Sequence, residues 1–262
     1  MKKLLQGLLF ALLCFVGAGP ALAQISDINS AINKAGRERM LSQRMAKVYF
    51  QMGQQVVPEQ SRKILESSAA TFDRQLVELK AYAPTPEIKD TYLKLEKSWQ
   101  AYKDILLGAT PTHANGKKVL ELSEEILGIA HQGAVQLEKH SGATAGRLIN
   151  LAGRQRMLSQ RMAKFYQASA WGVADNSVTA ELEKMRKEFA AAQQELTNAP
   201  ANTQAIREGL GLVQQQWFFF DNSLSQRNGN DKRYSLMVAT TSERILEEME
   251  TVVGLYEKLP PK

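Results

Sequence analysis

Cysteine occurs once in the 262 residues, at Cys14, and histidine three times, at His113, His131 and His140. Lys2 and Lys3 precede an apolar run from Leu4 to Val16, followed by Gly17, Gly19, Pro20 and Ala21-Leu22-Ala23. That is the pattern of a secretory signal peptide, residues 1–23, with cleavage expected after Ala23. Cleavage removes Cys14, so the mature chain is expected to have no disulfide, no thiolate nucleophile and no cysteine metal ligand. The spacing of His131 and His140 does not put two ligands on adjacent helical turns, so no metal site is expected. Nucleophile-elbow, phosphate-loop, dinucleotide and carboxylate motifs are missing as well. The chain therefore reads as a non-enzyme, with no catalytic residue and no cofactor. No second apolar run approaches the ~20 residues that span a bilayer. An exported, periplasmic protein is expected. The formal net charge of +6 drops by two, to +4, once Lys2 and Lys3 leave, and this mild excess is spread along the chain, so no nucleic-acid partner is expected.

What the sequence does have is a phrase written twice. "AGRERMLSQRMAK" runs over residues 35–47 and "AGRQRMLSQRMAK" over 152–164, with one difference in thirteen positions. The wider alignment from Ile32 and Ile149 has an offset of 117. Trp99 then matches Trp217 at 118, and Ser123 matches Ser242 at 119. The drift of one residue in each of two loops marks a tandem duplication, with domains over 24–140 and 141–262.

Each copy divides into four helical stretches. In the first they are 26–55, 59–82, 87–107 and 117–139, separated by Pro58, the Pro84/Pro86 pair, and Pro111 with Gly116. In the second they are 144–171, 177–197, 203–224 and 232–258, punctuated by Asp175-Asn176-Ser177, Pro200, Asn228-Gly229-Asn230 and Pro260-Pro261. Nothing reads as a strand. Long helices joined by short loops pack as antiparallel neighbours, so the expected fold is all-α, two tandem up-down four-helix bundles related by internal duplication. Trp217-Phe218-Phe219-Phe220 is expected mainly in a bundle core, although four consecutive aromatics cannot all face one core.

The helical wheel of the repeated phrase puts Ile32, Ala35, Gly36, Arg39, Gln43, Ala46 and Phe50 on one face, with Asn33, Arg37, Arg44 and Lys47 on a basic flank. Leu41, Met45 and Val48 form a second apolar face. Copy two repeats the pattern with Ala152, Gly153, Arg154, Arg156 and Gln160. Ala35 and Gly36 allow another helix to come close, and glycine costs ~1 kcal/mol of helix propensity against alanine, so packing or a site keeps it there. An arginine among small and apolar residues cannot shed its proton and must find an acceptor. Two acceptors suit it: a buried carboxylate such as Glu66, Glu78, Glu124 or Glu243, giving a ligand-free helical scaffold or adaptor, or an anion from outside. Preservation of Ser42, Gln43 and Lys47, beyond size and polarity, favours a specific site.

The motif Ile32-Asn33-x-Ala35-Gly36-Arg37-x-Arg39-Met40-Leu41-Ser42-Gln43-Arg44-Met45, with its second copy from Ile149 to Met162, resembles the box of the PilJ/NarX-type periplasmic sensor domains of nitrate/nitrite sensor kinases and of chemotaxis and type IV pilus transducers. The resemblance covers essentially all of the mature chain as two consecutive domains. It implies a four-helix bundle whose first helix carries this box at a dimer interface, where paired arginines from two subunits hold one nitrate. Carried over, the ligand-binding set is Arg39 and Arg156, with Ala35, Gly36, Ala152 and Gly153 beside them and Gln43, Gln160, Arg37 and Arg154 nearby. The family's membrane helices and kinase or methyl-accepting modules have no counterpart in the sequence, which implies relay through a membrane sensor, a transporter or a pilus chemosensory protein. Some nitrate sensors carry a lysine before the alanine-glycine step; Lys34 keeps it and Leu151 does not. A reversal near His140-Ser141-Gly142 would pair the two boxes within one chain. A continuous rod over 117–171 would leave that pairing to a homodimer.

Overall fold

The computed structural model describes residues 25–174, 178–226 and 231–259. The expected leader and the turn residues Asp175-Asn176-Ser177, Asn228-Gly229-Asn230 and Pro260-Pro261 lie outside them. The described chain is all-α, with eight helices: α1 (Ile28–Gly53), α2 (Pro58–Tyr82), α3 (Pro86–Gly108), α4 (His113–Ser141), α5 (Thr144–Ala170), α6 (Val178–Thr197), α7 (Gln204–Ser225) and α8 (Lys232–Glu257). Starts are set by side-chain caps. Asp27 accepts from the Ser30 amide, and Thr85, Thr112 and Thr203 accept from the amide three residues on. Pro58 and Pro86 occupy first-turn positions, where a missing N–H costs nothing.

Helices α1 to α4 form one four-helix bundle and α5 to α8 its duplicate. The repeated cores show the duplication directly: Phe72 packs against Trp99 with ring centroids 4.3 Å apart, and Phe189 against Trp217 at 4.2 Å. Of the aromatic run, Phe220 is buried and Trp217 packs against the core, whereas Phe218 and Phe219 are exposed.

The chain reverses where Ser141-Gly142 suggested. Helix α4 ends at Ser141, and Gly142 takes a left-handed φ of 61°, which a residue with a β-carbon adopts only with strain. Helix α5 then runs back along α4, and α1 and α5 come to lie against each other. They are parallel, since Gly36 meets Gly153, Lys47 bonds Gln160 and Gln54 bonds Gln167 in ascending order. Each of these two helices therefore has its own bundle on one side and the other box helix on the other. That is why both are buried nearly all round, and why one hydrophobic core runs through both bundles.

Gly116, expected to interrupt, instead sits in the first turn of α4. Its role is space: a β-carbon there would stand 2.6 Å from the Trp171 ring, and one on Gly53 would stand 2.1 Å from it. The indole wedges between the end of α1 and the start of α4, and Trp171 and His113 stack at 5.2 Å.

Candidate functional site

The seam between α1 and α5 is built on the two glycines. A β-carbon on Gly36 would stand 3.7 Å from the Gly153 Cα, 3.2 Å from Nη2 of Arg156 and 3.3 Å from Nη2 of Arg39. On Gly153 it would stand 3.2 and 3.5 Å from the same two nitrogens. Both guanidinium groups thus converge on the crossing point, in space that only glycine leaves free. Ala35 and Ala152 are buried beside it, as their small size allows.

Each arginine reaches across to the opposite helix. Arg39 Nη2 donates to Asn150 Oδ1 at 2.6 Å, and Arg156 Nη2 donates to Asn33 Oδ1 at 3.0 Å and to its carbonyl at 3.2 Å. The two asparagines are held in turn by carboxylates, Asn33 by Glu257 and Asn150 by Glu138. Both arginines are fully buried, and the Nε of each has no partner among the described residues. Two buried guanidinium groups ~4 Å apart would repel by ~4 kcal/mol at an effective dielectric near 20, so the seam needs negative charge.

Only one half of it supplies that charge. Arg156 Nη1 donates to Glu250 Oε2 at 2.8 Å, and the same carboxylate takes both a 3.1 Å and a 2.5 Å bond from Arg37. At the duplicate position, offset by 119, stands His131, whose Nδ1 lies 3.3 Å from Arg39 Nη1. No carboxylate among the described residues bonds Arg39. Burial, then the positive charges of Arg156 and Arg154, push Arg39 down to about 9. His131 is pushed down to about 4 by burial, then by Arg39 and Arg154, so it is a neutral acceptor at pH 7.

The other expected site residues are arranged less directly. Arg37 belongs to the Glu250 half. Arg154 pairs with Glu188 and stays partly exposed on the His131 side. Gln43 and Gln160 turn away from the arginines: their amide nitrogens donate to the carbonyls of Ser123 and Ser242 at 2.8 and 2.9 Å. They lie one turn further along, in a second layer where Lys47 bonds Gln160 Oε1 at 2.7 Å together with Glu243, and Lys164 bonds Ser123 and Glu124. Three of the four carboxylates expected for the box arginines are engaged elsewhere, and Glu66 is exposed. Glu78 pairs with Lys34, Glu124 with Arg161 and Lys164, and Glu243 with Arg44 and Lys47.

Lys47, placed on the basic flank by the wheel, is fully buried, because a second bundle covers that flank. Glu243 is held down to about 2 by Lys47 and Arg44 against the cost of its burial, while burial lowers Lys47 despite Glu243. The pair therefore offsets the desolvation of the lysine more than it adds stability. Sequence reasoning also passed over Asn33 and Asn150 as arginine acceptors, and His131 and Glu250 as counterparts. Aligning the fourth helices of the two copies would have exposed the histidine-for-glutamate exchange. Glu38 was missed too. It is fully buried with neither oxygen bonded among the described residues, and burial, then Asp73, raises its carboxyl well above the usual carboxylate range.

Two buried arginines thus share one seam between duplicated four-helix bundles, and no grouped metal-ligating side chains occur among the described residues. The chain belongs to the PilJ family, described as the N-terminal part of type IV pili methyl-accepting chemotaxis transducers, whose model matches residues 21–121 and again 140–236. Comparison with curated proteins and with solved structures gave no match. Each matched segment carries one copy of the box, and membership places the chain among chemosensory signalling modules. No helix among the described residues is long and apolar enough to cross a membrane.

Proposed function

We propose that the protein is a periplasmic receptor for a small planar monoanion, nitrate or nitrite, bound at the α1–α5 seam and relayed to a membrane sensor, transporter or pilus chemosensory partner. The observation that carries this is Arg39, fully buried and bonded, among the described residues, only to the neutral acceptors Asn150 and His131. A charge so placed gains most from an anion that is cheap to desolvate and matches the guanidinium fork. Because the boxes meet within one chain, the second copy takes the place that a partner subunit would otherwise fill. Occupancy would alter the repulsion between Arg39 and Arg156 and so the seating of α1 against α5, which gives the relay its physical basis.

The bond from Arg156 to Glu250 favours the second reading, a ligand-free helical scaffold whose box arginines serve packing. Calorimetric titration with nitrate, nitrite, chloride and sulfate separates the two. The receptor reading expects saturable heat with nitrate or nitrite that is lost in Arg39→Ala. No heat at millimolar nitrate and nitrite leaves the scaffold.

A further inference from the structure

The two halves of the seam are built alike and charged differently. In the half around Arg156, Glu250 stands against Nη1, Asn33 against Nη2, and Glu257 behind Asn33. In the half around Arg39, His131 stands against Nη1, Asn150 against Nη2, and Glu138 behind Asn150. The sole exchange of chemical type in these matched positions is imidazole for carboxylate. Glu250 is thus a tethered anion already seated in one half, and its counterpart is missing from the other.

Resting on the anion-receptor reading, we infer that the chain binds a single monovalent oxyanion off the pseudo-two-fold axis, on Arg39 at the place where copy two holds its own carboxylate, under the imidazole of His131. His131 is exposed at the surface and stands 3.3 Å from Nη1 of Arg39, so its ring is the group that an incoming anion would displace. Arg154, partly exposed on the same side, adds positive potential along the approach, tempered by its bond to Glu188. The charge of the ligand follows from the surroundings. Among the described residues no carboxylate bonds Arg39 directly, Arg154 has Glu188, and Glu138 lies directly behind Asn150. A monoanion supplies the direct anionic partner that Arg39 lacks, whereas a dianion would add a second negative charge close to Glu138. Duplication has thereby produced one seat from two boxes, with Glu250 filling the second and holding Arg156 and Arg37 in place.

The test exchanges the residue that distinguishes the halves. His131→Glu supplies Arg39 with its own carboxylate, and His131→Gln keeps a neutral acceptor as a control. Sodium nitrate is titrated calorimetrically into the full chain at constant ionic strength, and thermal midpoints are recorded without nitrate. The expected result is one nitrate per chain in the wild type, retained in His131→Gln and weakened at least tenfold in His131→Glu. The midpoint of His131→Glu without nitrate should rise. Two nitrates per chain, or wild-type affinity in His131→Glu, overturns the one-sided seat while leaving the receptor reading intact. Absence of nitrate binding in the wild type overturns both.

Discussion

Replacing Glu38 with glutamine should stabilise the protein, increasingly so as pH rises. Glu38 is fully buried, neither of its oxygens has a partner among the described residues, and its carboxyl is raised first by burial, then by Asp73 and Glu78, against the lowering effect of Arg37. A group raised in the folded state contributes stability below its unfolded value of 4.5 and loses it as pH climbs toward the folded value. Each pH unit above 4.5 costs ~1.4 kcal/mol while the buried group stays protonated, so the loss is at most about 3 kcal/mol at pH 7. Copy two shows what the substitution would do. Gln155 occupies the same place and donates to the Phe189 carbonyl at 3.1 Å and to Gln193 Oε1 at 3.3 Å. The new amide would face Phe72, the counterpart of Phe189, and add about 1 kcal/mol. Glu38→Gln is therefore expected to gain about 1–4 kcal/mol at pH 7, a midpoint rise of about 2–4 °C per kcal/mol, and almost none of the titration part below pH 4.5. Urea melts of both proteins at pH 4, 5.5, 7 and 8.5 measure this. A loss of stability at pH 7, or a gain that does not vary with pH, would refute the reasoning.

Glu243→Gln strands the buried Lys47 ammonium and should cost about 3–5 kcal/mol in denaturant melts, and adding Lys47→Met should restore most of that; if the double variant is no better than the single one, the pair is not coupled. Gly36→Ala places a methyl 3.2 and 3.3 Å from the two Nη2 atoms and displaces both guanidinium groups slightly, so nitrate binding should weaken while stability moves by about 1 kcal/mol or less. Gly128, with nothing within 4 Å of a β-carbon, is the control: Gly128→Ala should gain ~1 kcal/mol and bind nitrate normally. His131, pushed down to about 4 by burial, Arg39 and Arg154, is depressed in the folded state, so the protein should lose stability as pH falls from about 6.5 to 4. In His131→Gln that portion of the acid loss should disappear from a pH series of thermal midpoints, and an unchanged profile would mean the imidazole does not face the arginines.

The duplication, the helical class and the arginine box were legible because they are written locally. A 3.6-residue period, cap residues at helix starts and an alignment of the chain with itself need no knowledge of what packs where. The wheel even marked Gly36 and Arg39 as belonging to one face. What it could not supply was the number of faces that would be covered. A helix with one buried side leaves a flank for solvent, and Lys47 read as such a flank; the second bundle lies over it, so the ammonium is buried. Likewise the sequence offered several glutamates for Arg39 and Arg156 with equal standing, since helical spacing places residues within a helix and says nothing of register between helices. Tertiary packing decided that Glu250 meets Arg156 and that a histidine meets Arg39. Burial makes that difference count, because a guanidinium in water is indifferent to its neighbour and one shut between two helices is not.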